Sequence, residues 1–413
     1  MAVLTSVACG TPSVDSRFAD QRSNKARLTT EAPATAIQEV IDGNTAFALD
    51  IYREAKAKPG NLFFSPHSIS VALAMTYAGA RGDTASAMQR VLHIVPAPPD
   101  FHHAMNSLDL ALSKRGANAP ANSGNPFRLN IVNQAWGQNG YQFLPDYLDT
   151  LAVHYGAGLK TVDFLAASEE SRVAINAWVL EKTEQRIKDL LPQGSVTPDT
   201  RLVLTNAVYF KASWKTTFEK NLTQNGAFSL LDGTTAQVPM MTQTESLRFA
   251  EVNGTQAIEL PYQGDEVSLV VLLPAKGTFA DFEGSINVGS LKSLIAALAP
   301  KQIELKFPKF SAETDLPLTQ ALQKLGMGVA FSGDADFSGM NGKRDLAISE
   351  VLHKGFVAVD EAGTEAAAAT AVVIRETSAP PPATTVNVDR PFMYLVRDRV
   401  TGAVLFLGRV VQP

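Results

Sequence analysis

The hydrophobic pattern changes character along the chain. Early on it has helical spacing. Residues 45–57 place Phe47, Ile51 and Tyr52 on one side, the recurrence expected of a helix packed on a core. Ser65-Pro66 predicts the start of a second helix. Ser suits the N-cap, and Pro suits the first turn, where its missing N–H has no bond to lose. Ile69, Leu73 and Tyr77 continue that face. Asp83 is expected to cap a third short helix ending near Leu92, and Ser168 to open another with Ile175, Trp178 and Val179 inward. Residues 115–126, rich in Gly, Pro and Asn, read as a surface loop.

Later the period shortens to that of strands. Residues 202–210 and 267–273 are nearly unbroken apolar runs, as in strands buried on both faces. Ile303, Leu305 and Phe307 alternate with Glu304 and Lys306, the pattern of a half-exposed strand. Residues 317–325 read as a helix stopped by Gly326, and 348–359 and 403–411 as strands. Helices first and strands later predict an α+β architecture.

Composition narrows the function classes. The 413 residues carry 36 Lys and Arg against 41 Asp and Glu, a net charge of −5. Mild acidity spread along the chain argues against nucleic acid as a partner. No stretch is long and apolar enough to span a bilayer. The one cysteine, Cys9, excludes an internal disulfide and a Cys-cluster metal site. Length alone suggests two or three domains. Residues 10–34 are polar and small, so 1–34 is expected to be a flexible tail ahead of the folded part, 35–413. Ser6-Val7-Ala8-Cys9 resembles the end of a bacterial lipoprotein signal, which implies lipid on Cys9; the other reading is an incidental thiol.

Catalytic signatures are missing. There is no G-x-S-x-G elbow, H-E-x-x-H helix or P-loop. Of the six histidines only His102 and His103 are close in sequence. Adjacent residues do not share a helix face, so no metal or other cofactor is expected. Arg81-Gly82-Asp83 spells an adhesion tripeptide but reads better as a loop ending in a cap.

The segment 359–391 does not fit an ordinary core. It lies between two predicted strands and is too long for a plain connection. Thr364, Ala366, Ala368, Thr370, Val372 and Ile374 are small or β-branched, while Glu361, Glu365 and Arg375 stand at odd positions. As a strand, the segment would bury a neutral face and expose charge. Four consecutive alanines favour helix locally, so an Ala-rich linker or helix is the alternative.

At this point the residues resemble those of the serpins, the serine protease inhibitors, across about residues 36–411. Asn61-Leu62-Phe63-Phe64-Ser65-Pro66-His67-Ser68-Ile69 is similar to the start of the family's second helix. Leu204-Thr205-Asn206-Ala207-Val208-Tyr209-Phe210-Lys211, with Trp214, is similar to its central strand. Phe307-Pro308-Lys309-Phe310, Leu325-Gly326-Met327, Asp389-Arg390-Pro391-Phe392 and Phe406-Leu407-Gly408-Arg409-Val410 match further motifs in order. The resemblance implies one domain over 35–413 with three β-sheets, eight or nine helices and an exposed reactive loop at about 361–391. That replaces the length-based domain count.

It also implies a function: irreversible inhibition of a serine protease, which cleaves the loop, forms an acyl-enzyme and is trapped when the loop inserts into the main sheet. Glu361, Gly363 and Thr364 match the hinge, and Ala366, Ala367, Ala368 and Ala369 its small-residue run; Ala362 stands where a charge is commoner. Ser65, Ser68, Asn206 and His353 resemble a polar cluster beneath the opening strands. Trp214 and Lys309 are counted with the same structural gate, and Lys309 with Glu361 matches a pair near the top of the sheet. Hinge spacing places the cut at Thr377-Ser378, suited to elastase- or subtilisin-like enzymes. Cleavage at Arg375-Glu376 would suit a trypsin-like one, and a cysteine protease is a further target class. The alternative function is a non-inhibitory serpin that binds or carries a ligand. The chain is expected to be a monomer, not an enzyme, acting outside the cell or at its surface, with any membrane contact through Cys9.

Overall fold

The computed structural model describes residues 18–116, 128–364 and 383–413. Cys9 and most of the expected loop at 115–126 lie outside them. One sheet has seven strands in the order β1 (Ala19–Gln21), β4 (Leu159–Val162), β3 (Arg128–Gln138), β5 (Leu202–Ser213), β13 (Gly363–Thr364), β12 (Glu350–Val359) and β11 (Phe310–Pro317). The other runs β14 (Thr384–Asn387), β10 (Ala299–Pro308), β7 (Thr235–Val252), β8 (Thr255–Pro261), β9 (Val267–Leu273), β15 (Phe392–Asp398), β16 (Val404–Val410), β2 (Leu62–Phe64), with β6 (Gln224–Ser229) on β7. The second and third sheets of the expectation are joined because β7 is one strand of 18 residues. Its first part pairs with β6, its middle with β10 and its last part with β8.

Ten α-helices surround the sheets among the described residues. Those that position the site are α1 (Ala34–Ala55), α2 (Pro66–Tyr77), α3 (Gly82–Val91), α4 (Pro98–Ser113), α5 (Pro145–Tyr155) and α6 (Ser168–Lys182). The Ser65 hydroxyl accepts from the Ser68 N–H, capping α2, and Pro66 occupies its first turn. α1 begins upstream of the periodic stretch because Ala36, Val40 and Ile41 extend its buried face. Asp83 does not cap α3: it sits inside the first turn and makes no side-chain cap bond.

α2 is the helix the two sheets share. It packs on β3 and β5 of one sheet and on β16 of the other, and Ile69 and Leu73 are fully buried. α6 covers the opposite face of the seven-stranded sheet. There Trp136 meets Trp178 edge-on at 5.2 Å, and a second core joins them to Val203, Ala207 and Leu352.

Residues 18–33, expected to be part of a tail, are packed. Phe18 is buried with its ring 4.8 Å from Trp136, and β1 pairs antiparallel with β4. Arg27 donates to Asn106 at 2.8 Å and pairs with Asp109 at 2.5 Å. The Leu28 N–H donates to the Val153 carbonyl at 2.9 Å, and the Ala32 N–H to the Ser107 hydroxyl at 2.9 Å. Polar composition misleads here because the segment is held mainly by hydrogen bonds to two helices.

A buried ion pair ties the chain's last strand to the helix Phe279–Ser285, and Tyr52 and the Lys56 carbonyl join α1 to it. The Arg409 guanidinium meets Glu283 at 2.7 Å and the carbonyls of Lys56 and Lys58 at 3.1 and 2.7 Å. Tyr52 donates to the same carboxylate at 2.5 Å. Replacing Arg409→Met is expected to cost about 3–5 kcal/mol, since Glu283 would stay buried without its cation. Thermal unfolding monitored by circular dichroism would register this as a clear fall in melting temperature.

Candidate functional site

The middle of the seven-stranded sheet holds a parallel pairing with a wedge at one end. β5 and β12 run parallel from Val203↔Glu350 to Tyr209↔Phe356. Beyond that point they diverge, and β13 enters between them. Thr364 pairs with Val359 of β12, while Gly363 and Thr364 pair antiparallel with Ser213 and Ala212 of β5.

A turn delivers β13 to that position. The Asp360 N–H donates to the Gly363 carbonyl at 2.9 Å, and the Asp360 carboxylate accepts from the Ala362 and Gly363 N–H groups at 2.8 and 3.2 Å. Gly363 has φ 150°, and a Cβ there would stand 2.2 Å from the Ala212 carbonyl oxygen. Only glycine fits so close to the neighbouring backbone. The Thr364 hydroxyl is fully buried and bonds the Tyr262 hydroxyl at 2.8 Å.

Trp214 anchors the turn from the side. Its indole N–H donates to the Asp360 carbonyl at 2.9 Å and its backbone N–H to the Ala362 carbonyl at 3.0 Å. The ring stacks on Tyr262 at 4.7 Å. Glu361 is buried, with one carboxylate oxygen 2.9 Å from the Lys309 ammonium and the other accepting from Thr223 at 2.8 Å. Burial alone would raise its pKa, but the bonds from Lys309, the backbone and Thr223 outweigh it and hold the group below its ordinary value.

Lower on the seam lies a polar cluster. His353 and Asn206 are register partners across β12 and β5, and the ring Nδ1 bonds the Asn206 side-chain carbonyl. The other ring nitrogen, Nε2, accepts from the Ser65 N–H at 3.2 Å. A backbone N–H only donates, so Nε2 is unprotonated and Nδ1 carries the proton. The Asn206 amide donates to the Ser68 hydroxyl at 2.6 Å and to Asn133 at 2.5 Å. Ser68 donates to Asn133 at 3.0 Å, and Ser65 to the Leu405 carbonyl at 2.7 Å. The cluster therefore links β3, β5, β12, α2 and β16.

Ser65, Ser68, Asn206 and His353 thus meet in one cluster, while Glu361, Lys309, Trp214, Gly363 and Thr364 meet in another. Ala366–Ala369, Arg375, Glu376, Thr377 and Ser378 lie outside the described residues. Sequence reasoning missed Asn133, Thr223 and Tyr262. An Asn inside a strand is unusual enough to flag; Thr223 and Tyr262 carry no local signal, because only the fold brings them to the turn. Among the described residues no group of three His, Cys, Asp or Glu side chains could hold a metal ion.

The family model described as serpin (serine protease inhibitor) matches residues 42–413. Leukocyte elastase inhibitor A of Mus musculus is 39% identical, with 91% of this chain and 100% of that protein covered. An uncharacterized serpin-like protein of Thermococcus kodakarensis is also 39% identical, covering 91% of this chain and 86% of that protein. Among solved structures, the thermophilic serpin tengpin in its native state superposes with a TM-score of 0.83 at 27% identity, covering 96% of this chain and 100% of that one.

The cluster sets a pH dependence. Burial pushes His353 down to about 3 from its ordinary 6.5. The folded state therefore binds fewer protons than the unfolded chain between those values. Its stabilisation is complete above about pH 6.5 and falls by up to about 1.4 kcal/mol per pH unit below it. Melting temperatures measured from neutral pH down to the carboxylate range are expected to decline, and less steeply in His353→Gln. Parallel profiles for the two proteins would contradict this.

Proposed function

This chain belongs to the serpin family, and from that premise we propose that it is a suicide-substrate inhibitor of serine proteases. The observation that carries the reading is β13: two loop residues already pair as a strand between β5 and β12, in the orientation a longer inserted strand would need.

If insertion continued that register, each loop residue would take a definite partner. Ala366 would lie beside Phe210 and Val357. Ala368 would lie beside Val208 and Gly355, where a Cβ on Gly355 would be 3.1 Å from Phe63. Thr370 would fall between Asn206 and His353, and Val372 between Leu204 and Val351. Thr364 already points into the core, so every even residue would do the same, which places the uncharged side of the segment inward.

The chemistry starts with ordinary proteolysis. The protease serine oxygen attacks the Thr377 carbonyl carbon. The Thr377–Ser378 bond breaks, the Ser378 amine leaves with a proton, and an ester links Thr377 to the enzyme. Insertion of residues 363–374 extends about 40 Å down the sheet at ~3.3 Å per residue. The attached enzyme is carried with it before water can cleave the ester. Insertion adds roughly a dozen ladder hydrogen bonds at about 1 kcal/mol each, so the uncleaved fold is a kinetic trap.

Thr377 favours elastase- or subtilisin-like targets, and the relative named as an elastase inhibitor supports the first of these. Arg375 would favour a trypsin-like target, and cysteine proteases form a third class for the panel. An extracellular or cell-surface setting belongs to the same proposal.

Incubation with a panel of such proteases is expected to give an SDS-resistant complex and a released peptide of residues 378–413. A peptide beginning at Glu376 instead would move the cut to Arg375. Cleaved protein is expected to melt far above intact protein. Ala368→Asp, which would bury a charge beside Gly355 and Phe63, is expected to fold normally but to be turned over as a substrate. Undiminished complex formation by that variant, or equal melting of cut and uncut protein, would favour the non-inhibitory alternative.

A further inference from the structure

Three separated stretches of chain meet in a cleft that shares no residue with the hinge turn, the seam or its polar cluster. The first is the two-residue turn between β7 and β8. There Val252 pairs with Thr255, and Asn253 and Gly254 have φ of 50° and 75°, the two positive angles such a hairpin requires. The second is the exit from β9 at Pro274, and the third is a succession of two short helices, α7 (Phe279–Ser285) and α8 (Val288–Ala296). Together they enclose about 510 Å³, within the range that small-molecule sites occupy.

Helical spacing gives each of these helices two jobs. On α7, Asp281, Phe282 and Ser285 line the cleft, while Glu283 is turned to Arg409. On α8, Ser290, Ser293 and Leu294 line it, while Lys292 reaches away to Asp42 of α1 at 2.7 Å. Among the described residues no lysine or arginine lines the cleft, and Asp281 is its one charged side chain.

We propose that this cleft is a binding site for a neutral saccharide. The site is independent of the reactive loop and of the inhibitor reading.

The match is one of donors and acceptors. Thr278 donates its hydroxyl proton to the Ala275 carbonyl at 2.9 Å, and Ser293 to the Gly289 carbonyl at 2.9 Å. Each has spent its proton and can offer the cleft only lone pairs. The Asp281 carboxylate has no partner among the described residues and adds further acceptors. Two groups remain that can donate. Thr255 is only 7% exposed, yet its hydroxyl bonds none of the described residues. The Asn253 amide is likewise without a partner among them. A buried hydroxyl left unmet is costly, and the cleft is the side from which Thr255 can be met.

A complementary ligand must therefore give hydrogen bonds at several points and also accept them. Sugar hydroxyls do both. A carboxylate or phosphate has few or no protons to give and would face Asp281 with a like charge. An ammonium group could pair with Asp281 but cannot accept from Thr255 or Asn253. Val252, Phe282 and Ile286 supply apolar wall for the C–H face of a sugar ring, the usual division between apolar lining and a few orienting polar groups.

Isothermal titration calorimetry on the uncleaved full-length protein tests the site. The probes are lactose, maltose and chitobiose, with spermidine and inorganic phosphate as the cationic and anionic comparisons. At least one disaccharide is expected to bind one-to-one, and neither comparison ion to displace it. Thr255→Val keeps the side chain's shape and removes the hydroxyl; Asp281→Ala removes the carboxylate. Each is expected to weaken binding about tenfold, the worth of one hydrogen bond. Asp232→Ala, outside the cleft, is expected to leave binding unchanged, and equal melting temperatures would show that all three variants fold. A glycopeptide carrying the same disaccharide forms a second arm, which separates a free sugar from a glycan as the natural source. No saccharide binding at millimolar concentration, equal binding by the two cleft variants, or preference for spermidine or phosphate would overturn the proposal. No protease is present, so this result stands apart from complex formation.

Discussion

The arrangement depends on one seam, the parallel pairing of β5 with β12 in the middle of a sheet. Parallel ladders are slightly weaker per residue than antiparallel ones, and this one is held from three sides. α2 lies beneath it, α6 lies above it, and the register partners His353 and Asn206 bond across it. At the open end the turn of residues 360–363 sits between the diverging strands. A sheet built this way is continuous along the seam and holds the two residues of β13 between its strands at the open end.

The buried polar cluster makes that seam cooperative. Each member is satisfied by others on different elements, so moving one strand leaves several groups unpaired at once, and each would cost about 1–3 kcal/mol. A strand entering the seam would separate His353 from Asn206 by roughly two strand spacings, ~9.6 Å. Under the proposed insertion, continuing the register of Gly363 and Thr364 would put the Thr370 hydroxyl in the resulting gap. An apolar residue there would leave the amide and imidazole without partners. The same cluster that resists opening is thus suited to be satisfied again afterwards.

Much of this was legible in local sequence, and the reasons for the remainder are physical. Ser65-Pro66 announced α2 because capping is a property of adjacent residues. β9 followed its apolar run from Val267 to Leu273 because a strand buried on both faces needs no partner to be recognised. The parity that sets uncharged even positions from Thr364 against Glu361, Glu365 and Arg375 falls, past Thr364, on residues outside the described ones. The joining of two sheets through β7 was not readable, since pairing partners lie far away in sequence. Nor was the docking of residues 18–33, whose polar side chains look solvated until α4 and α5 supply their partners. Asn133 joins Asn206 only because β3 and β5 lie in register.

The turn at residues 360–363 is pinned in one register on β5. Gly363 approaches the β5 backbone more closely than any side chain would allow. Glu361 is held by Lys309 and Thr223, and Trp214 binds the turn through both its indole and its backbone. A turn pinned at that many points cannot slide along β5. A slip of one residue would also present the charged side of the loop to the core, at a cost far larger than one ladder bond. Alanines would serve best just below such a hinge: under the proposed insertion they would bring backbone into the seam while displacing the least packed volume around Phe210, Val208 and Phe63. Under the proposed insertion the hinge would select the face, the alanines would lower the first barrier, and the polar cluster would receive Thr370 where its own bonds had been broken.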